Sequence, residues 1–299
     1  MVKLDIAHKK FIEHLKSKNR ASATILAYGK DIEQLVEFLQ ELKRAHVHDV
    51  TAEDINAFLA KLSQKGYTPK SVSRKLNSTK TFFRFLKVSE YITDNPALLV
   101  PHPKYATKPP RTLSPLEYRA LRDACREDAR TAAIVEILLQ TGIRIAELAN
   151  LRLGDVKFSE GNFEGQLYIR PQEGRSSRVV PLNKPAETAL KRYLTERPKI
   201  KLTKRQKESE QHIFITKNGK PLLIRNIRAA IDRYFKKAGI KDAKVNDLRH
   251  TWITHHLASG ASIVLISKLA GHKRISTTEK YLGLINNQKR DDKAKLEPL

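Results

Sequence analysis

Apolar positions recur at helical spacing through the first ninety residues. In 31–39, Ile32, Leu35, Val36 and Leu39 fall on one stripe, the spacing of a helix lying on a core. Thr51, followed by Glu53 and Asp54 and then by Ile55, Phe58 and Leu59, reads as a capped helix start with acids in its first turn. Pro69 marks another start. Beyond it Val72, Leu76, Phe83 and Leu86 share one face, and the basic residues off that face, Lys70, Arg74 and Lys75 among them, are the expected phosphate contacts. The pattern stops at Asn95-Pro96. Residues 101–111 then hold four prolines with Lys104, Lys108 and Arg111, which predicts an extended basic linker suited to a phosphate backbone.

Past the linker the helical period returns at 113–122, 130–140, 145–151, 185–195, 222–238, 247–258, 263–269 and 277–284. Between them, 166–171 and 177–182 read as two short strands around the turn residues 172–176, and 212–216 as a third strand closed by Asn218-Gly219. The basic stretch 197–207 reads as an exposed loop. The expected fold class is therefore mainly α with a small antiparallel β-sheet. A helical domain is expected over 1–100, a linker over 101–112, a second domain over 113–284, and a polar tail over 285–299. There is no internal repeat.

Charge narrows the partners. The 299 residues carry 57 Lys and Arg against 32 Asp and Glu, a formal net charge of +25, which favours a polyanion and fast, salt-sensitive association. A single cysteine, Cys125, excludes an intrachain disulfide and a cysteine-rich zinc site, and is read as a small buried apolar side chain. The N-terminus has no apolar core of a signal peptide, and no run of about 18 apolar residues exists. A cytoplasmic protein without membrane contact is expected.

The chemistry lies in the second half. Arg144, Arg249 and His272 could neutralise one phosphodiester, and the hydroxyl of Tyr281 could attack it. Residue type alone does not single these out. The words around them do: Thr141-Gly142-Ile143-Arg144-Ile145-Ala146-Glu147-Leu148, then Leu248-Arg249-His250-Thr251, then Leu269-Ala270-Gly271-His272 with Ser276-Thr277-Thr278 and Tyr281. In that order and spacing they resemble the tyrosine recombinase (phage integrase) family, Xer-like branch. Tyr28, Asp31 and Asn95-Pro96-Ala97 extend the resemblance into the first domain.

The resemblance implies an N-terminal SAM-like core-binding domain and a C-terminal catalytic domain closing on duplex DNA. It implies that Arg144 and Arg249 bind the scissile phosphate, His272 hydrogen-bonds a non-bridging oxygen, and Tyr281 forms a 3′-phosphotyrosyl bond. Glu147 would orient the site. No cofactor and no metal are expected. The partners would be double-stranded DNA with inverted-repeat sites and further subunits, as a homotetramer or heterotetramer in which 285–299 is exchanged. Chromosome dimer resolution and integration or excision of a mobile element both fit. Arg225 and Arg228 lie on the helix expected to face a groove.

Two positions depart from the family pattern. Its general-acid lysine precedes a glycine in the hairpin turn, where this chain has Glu173 before Gly174, with Arg175 after it. Its usual histidine three residues before the second arginine is Asn246. A carboxylate repels phosphate, arginine does not readily release a proton, and asparagine cannot shuttle one. His250, next to Arg249, is expected to point elsewhere on the helix. Three readings stay open: a shifted hairpin in which Arg170 or Arg175 does a reduced job, a slow enzyme dependent on a partner, and a weakened relative that binds its sites without cutting them.

Overall fold

Capping chemistry sets the helix starts that the apolar spacing only outlines. In this computed structural model, which describes residues 1–106, 109–172, 174–197 and 212–285, the chain divides into two compact units, Met1–Thr107 and Lys108–Leu299. The first contains α1 (Leu4–Ser17), α2 (Ser22–Glu41), α3 (Ala52–Gln64) and α4 (Pro69–Val88). Thr51 and Asp54 form a reciprocal capping box at α3, and Thr68 caps α4 with Pro69 at its first position, where a missing N–H costs nothing. The expected stripe of α4, Val72, Leu76, Phe83 and Leu86, is buried, and so are Ile32, Leu35, Val36 and Leu39 of α2.

One polar feature interrupts that core. Asp31 is 2% exposed and accepts from Arg74 Nη2 at 2.9 Å, Lys75 Nζ at 2.9 Å and Ser78 Oγ at 2.7 Å. Burial alone would raise its pKa, but these donors together hold it below the ordinary carboxylate value. Lys75 is thereby removed from the surface: it is 4% exposed, and its ammonium also donates to Gln34. The expectation that it contacts phosphate is corrected, because its stem packs inward and its charge is already matched. Arg74 is exposed along its stem but its guanidinium is forked onto the same carboxylate.

The second unit begins with α5 (Pro115–Cys125), α6 (Ala129–Thr141) and the short α7 (Ile145–Ala149). Next come β1 (Val156–Lys157), β2 (Gly165–Ile169) and β3 (Arg178–Leu182), and then α8 (Lys184–Glu196). It continues with α9 (Ile224–Lys237), α10 (Val245–Ala258), α11 (Ile263–Ala270) and α12 (Ser276–Glu279). Helix α6 is central: Ala133, Ile134, Val135, Ile137 and Leu138 are all at most 2% exposed, and it packs against α5, α8, α10 and β3. The sheet is antiparallel in the order β1-β2-β3, with Leu167 opposite Val180 and Tyr168 opposite Val179. Alternation puts Leu167, Ile169, Val180 and Leu182 on the buried face.

The third strand is not the expected one. It is Val156–Lys157, whereas 212–216 makes only isolated bridges, His212 to Arg152 and Ile215 to Pro221. Ile213, Phe214 and Ile215 are fully buried, so the apolar run is a core segment rather than a sheet member. Cys125 is buried as expected. The loop residues 198–207, the tail 286–299, Lys108 and Glu173 lie outside the described residues.

Candidate active site

Helix α11 ends at Gly271, whose φ of 65° is left-handed and turns the chain sharply. The last carbonyls of a helix have no intrahelical donor and carry partial negative charge. Here three arginines supply the donors. Arg178 Nε reaches Leu269 O at 2.6 Å, Arg249 Nη2 reaches Ala270 O at 2.6 Å, and Arg144 reaches Ala270 O at 3.0 Å and Gly271 O at 2.6 Å. A Cβ on Gly271 would sit 2.8 Å from the Arg178 guanidinium and 3.1 Å from that of Arg144, so the convergence requires glycine there.

Each arginine is delivered by a local rule. Gly142, the left-handed C-cap of α6, turns the chain so that Arg144 becomes the N-cap of α7, and Gly142 O accepts from Arg249 Nη1 at 2.5 Å. The Arg144 amide is satisfied by Glu147 Oε2 at 2.8 Å, which brings that carboxylate beside the cluster. Glu147 also binds the Arg144 guanidinium at 3.1 Å and receives Arg178 as a two-bond fork at 2.8 and 2.9 Å. Burial works to raise the Glu147 pKa, but the Arg178 hydrogen bonds, the Arg144 amide and both cations bring it to about 2. Arg178 was not singled out in the sequence. It lies in 177–182, read there only as the second strand of the hairpin.

Three guanidiniums therefore surround one carboxylate, and the deficit of negative charge is visible in the neighbours. Burial, then Arg144, lowers Arg249 to about 9. Burial, then Arg249 and Arg144, lowers His272 to about 4, so its imidazole is neutral near pH 7. Its Nδ1 is 2.7 Å from Thr278 Oγ1; with the hydroxyl donating, Nε2 carries the proton and is available to an acceptor. Tyr281 follows α12 rather than lying in it, with its amide donating to Thr278 O at 3.0 Å. Its ring is 6% exposed within a small cluster with Trp252, Leu257 and Ile266. Burial raises its phenol pKa, while Arg249 and Arg144 pull the other way.

The structure thus brings together Arg144, Glu147, Arg249, His272 and Tyr281. Asn246 is near but turned to another task, its amide nitrogen lying 2.8 Å from His250 Nε2 at the surface. His250 does not point away, as the helix spacing suggested: its ring centroid is 5.8 Å from that of Tyr281. Tyr281 lies off the end of α12, where the chain turns back along α10, so residue spacing on one helix could not show that proximity. Arg175 closes the hairpin tip with Gln172 through backbone bonds of 2.9 and 3.2 Å, and its charge acts on Arg144. Arg170 is committed to Asp155 at 2.8 Å. Lys70, Lys104, Arg225 and Arg228 are exposed and unpaired by any carboxylate among the described residues.

A guanidinium offers five N–H donors. The bonds above engage three on Arg144 and two on Arg249, so both retain donors for a further anion. With a neutral imidazole and a phenol alongside, such a set suits an anionic ester whose charge grows during attack. Among the described residues no three His, Cys, Asp or Glu side chains converge to hold a metal ion, and no helix is long and apolar enough to cross a membrane.

Comparison with known proteins bears on this arrangement. The model of the phage integrase family matches residues 111–287, and that of the phage integrase N-terminal SAM-like domain matches 9–90. The tyrosine recombinase XerC of Oceanobacillus iheyensis is 31% identical over 304 residues, covering 100% of this chain and 98% of that protein. Among solved structures, the XerH site-specific recombinase bound to palindromic difH substrate aligns with a TM-score of 0.75. It is 18% identical and covers 96% of this chain and 83% of that one. A lambda integrase tetramer bound to a Holliday junction aligns with a TM-score of 0.71 at 18% identity, covering 92% and 78%. At those identities the two structures speak to the fold.

Proposed function

This chain belongs to the phage integrase family and is an Xer-like site-specific tyrosine recombinase, and from that premise we propose how its residues carry out strand exchange. Tyr281 attacks the scissile phosphate, forms a 3′-phosphotyrosyl bond and releases a 5′ hydroxyl. Arg144 and Arg249 hold the non-bridging oxygens, and His272 donates to one of them through Nε2. Glu147 and Arg178 are positioning residues: they fix Arg144 and add charge without reaching the ester. The observation that supports this is the meeting of Arg144, Arg249 and Arg178 on the terminal carbonyls of α11, two residues before His272 and beside the buried Tyr281. Conserving bond energy in the covalent adduct lets strands rejoin without a nucleotide cofactor.

The substrate in this reading is double-stranded DNA with inverted-repeat sites, met in the cytoplasm by a tetramer of this chain or of this chain with a second recombinase. Lys70, Lys104, Arg225 and Arg228 supply phosphate contacts, and 101–112 serves as the linker between the DNA-binding and catalytic domains. The task is chromosome dimer resolution or the integration and excision of a mobile element. Duplexes selected by the protein from a random pool, nicked so that the cut strand diffuses away, test the reading. With chelator present, a DNA-linked protein band lost in Tyr281→Phe is expected. Tight, sequence-specific binding without such a band would instead make the chain a non-cleaving DNA-binding partner in a synapse.

A further inference from the structure

Breaking a P–O5′ bond needs a proton for the leaving oxygen, and among the described residues few groups at this site can give one. Arg144 and Arg249 are tied to backbone carbonyls of Gly142, Ala270 and Gly271 and turn their remaining donors to the non-bridging oxygens, which leaves them as the clamp and not as the acid. His272 is neutral near pH 7, with its pKa near 4. Asn246 has no acidic proton, and His250 is engaged by Asn246 on one ring nitrogen and lies 3.4 Å from Asp247 on the other. Tyr281 is the nucleophile.

Lys273 stands apart from these. It follows His272 directly, two residues beyond the Gly271 carbonyl that accepts from Arg144. Its side chain crosses to the tip of the β2–β3 hairpin: a Cβ on Gly174 would lie only 3.2 Å from Lys273 Nζ. Gly174 has a φ of 73°, and the absence of its side chain leaves room for the ammonium over the turn. The same tip carries Arg175, whose charge is felt by Arg144, so the turn lies within electrostatic reach of the arginine cluster. Lys273 forms no ion pair among the described residues, and it is exposed. It is thus an ammonium without a carboxylate partner among the described residues, anchored next to His272 and leaning on the hairpin turn.

We propose that Lys273 is the general acid of strand cleavage, taking from the other side of the hairpin the place that a lysine in the turn itself would occupy. This rests on the phosphotyrosine reading above. In the step, the phenolic oxygen of Tyr281 bonds to phosphorus while its proton passes to water. The P–O5′ bond breaks with its electron pair on O5′, and the Lys273 ammonium protonates that oxygen. Lys273 is left as a neutral amine. In rejoining, it takes the proton back from the attacking 5′ hydroxyl.

Sulfur in place of the bridging 5′ oxygen tests this, because a thiolate leaves without protonation. The selected duplex would be prepared with oxygen throughout and, in a parallel set, with sulfur at each successive step of the site. Lys273→Ala should slow adduct formation on the oxygen duplex by about 100-fold or more, and by less than about 3-fold on the sulfur duplex cleaved by the unmodified protein. Lys273→Arg, which keeps charge and reach but gives up no proton, should behave in the same way. Equal losses on both duplexes would make Lys273 a DNA contact and overturn the proposal, as would no loss on either. If the unmodified protein forms an adduct on neither duplex, the phosphotyrosine reading fails and this one with it. An adduct that is insensitive to Lys273 leaves that reading standing and removes only the acid.

Discussion

Replacing Glu147 by glutamine removes the one negative charge among three clustered guanidiniums and nearly nothing else in shape. Its carboxylate has a pKa near 2 in the fold against 4.5 when free, and each pKa unit is worth about 1.4 kcal/mol, so its ionised form contributes about 3 kcal/mol at neutral pH. Glu147 is 5% exposed, so solvent screening removes little of this. The loss of one partner from a buried ion pair generally costs about 3–5 kcal/mol, which agrees. For a unit of this size the melting temperature should fall by roughly 6–12 °C. Trp252, the single tryptophan, is buried in the same unit and reports its unfolding by fluorescence. Because the folded pKa is depressed, the contribution is complete above about 4.5 and fades as pH falls toward 2. The gap between the two proteins should therefore close over that window. Sulfate should also restore more stability to Glu147→Gln than to the unmodified protein, since an anion replaces the missing charge. A drop of under about 2 °C, or a gap independent of pH, would refute the view that the arginines are held in place against their own repulsion.

Further outcomes follow from the same geometry. Gly142→Ala places a Cβ 2.2 Å from Trp252 at a left-handed φ and should cost about 2–4 kcal/mol from overpacking and backbone strain together, read as a lower denaturation midpoint; a change under about 0.5 kcal/mol would contradict the packing. His272 should titrate near pH 4 by NMR in the free protein, and sulfate or DNA should raise that value by offsetting the guanidinium field. Its folded pKa lies below the unfolded 6.5, so unfolded chains take up the proton first. Stability should thus decline as pH falls from about 6.5 toward 4, by at most about 3 kcal/mol. Lys70→Ala should reduce the salt dependence of DNA binding by about one phosphate contact. Lys75→Met should leave that slope unchanged while lowering the stability of the first unit, because its charge is matched internally by Asp31.

Much of this protein was legible in order along the chain. Helices follow from local periodicity and capping residues, so α2, α3, α4 and α6 lie where their apolar stripes put them. The motif words around Arg144, Arg249, His272 and Tyr281 placed the residues that the fold gathers. What the sequence could not give was direction across the fold. Lys75 reads like Lys70 in sequence, and only the packing of α4 on α2 sends its ammonium to Asp31. The run at 212–216 has strand composition, but its backbone partners come from Leu151 and the segment near Pro221, so it joins the core without joining the sheet. Arg178 lies 31 residues from Glu147 and 91 from Leu269, His250 meets Tyr281 across a turn, and Lys273 approaches Gly174 from a segment distant in sequence. Local patterns record short-range torsional and burial preferences. Which distant charges share one helix end is settled only when the whole core closes and each buried donor must find an acceptor.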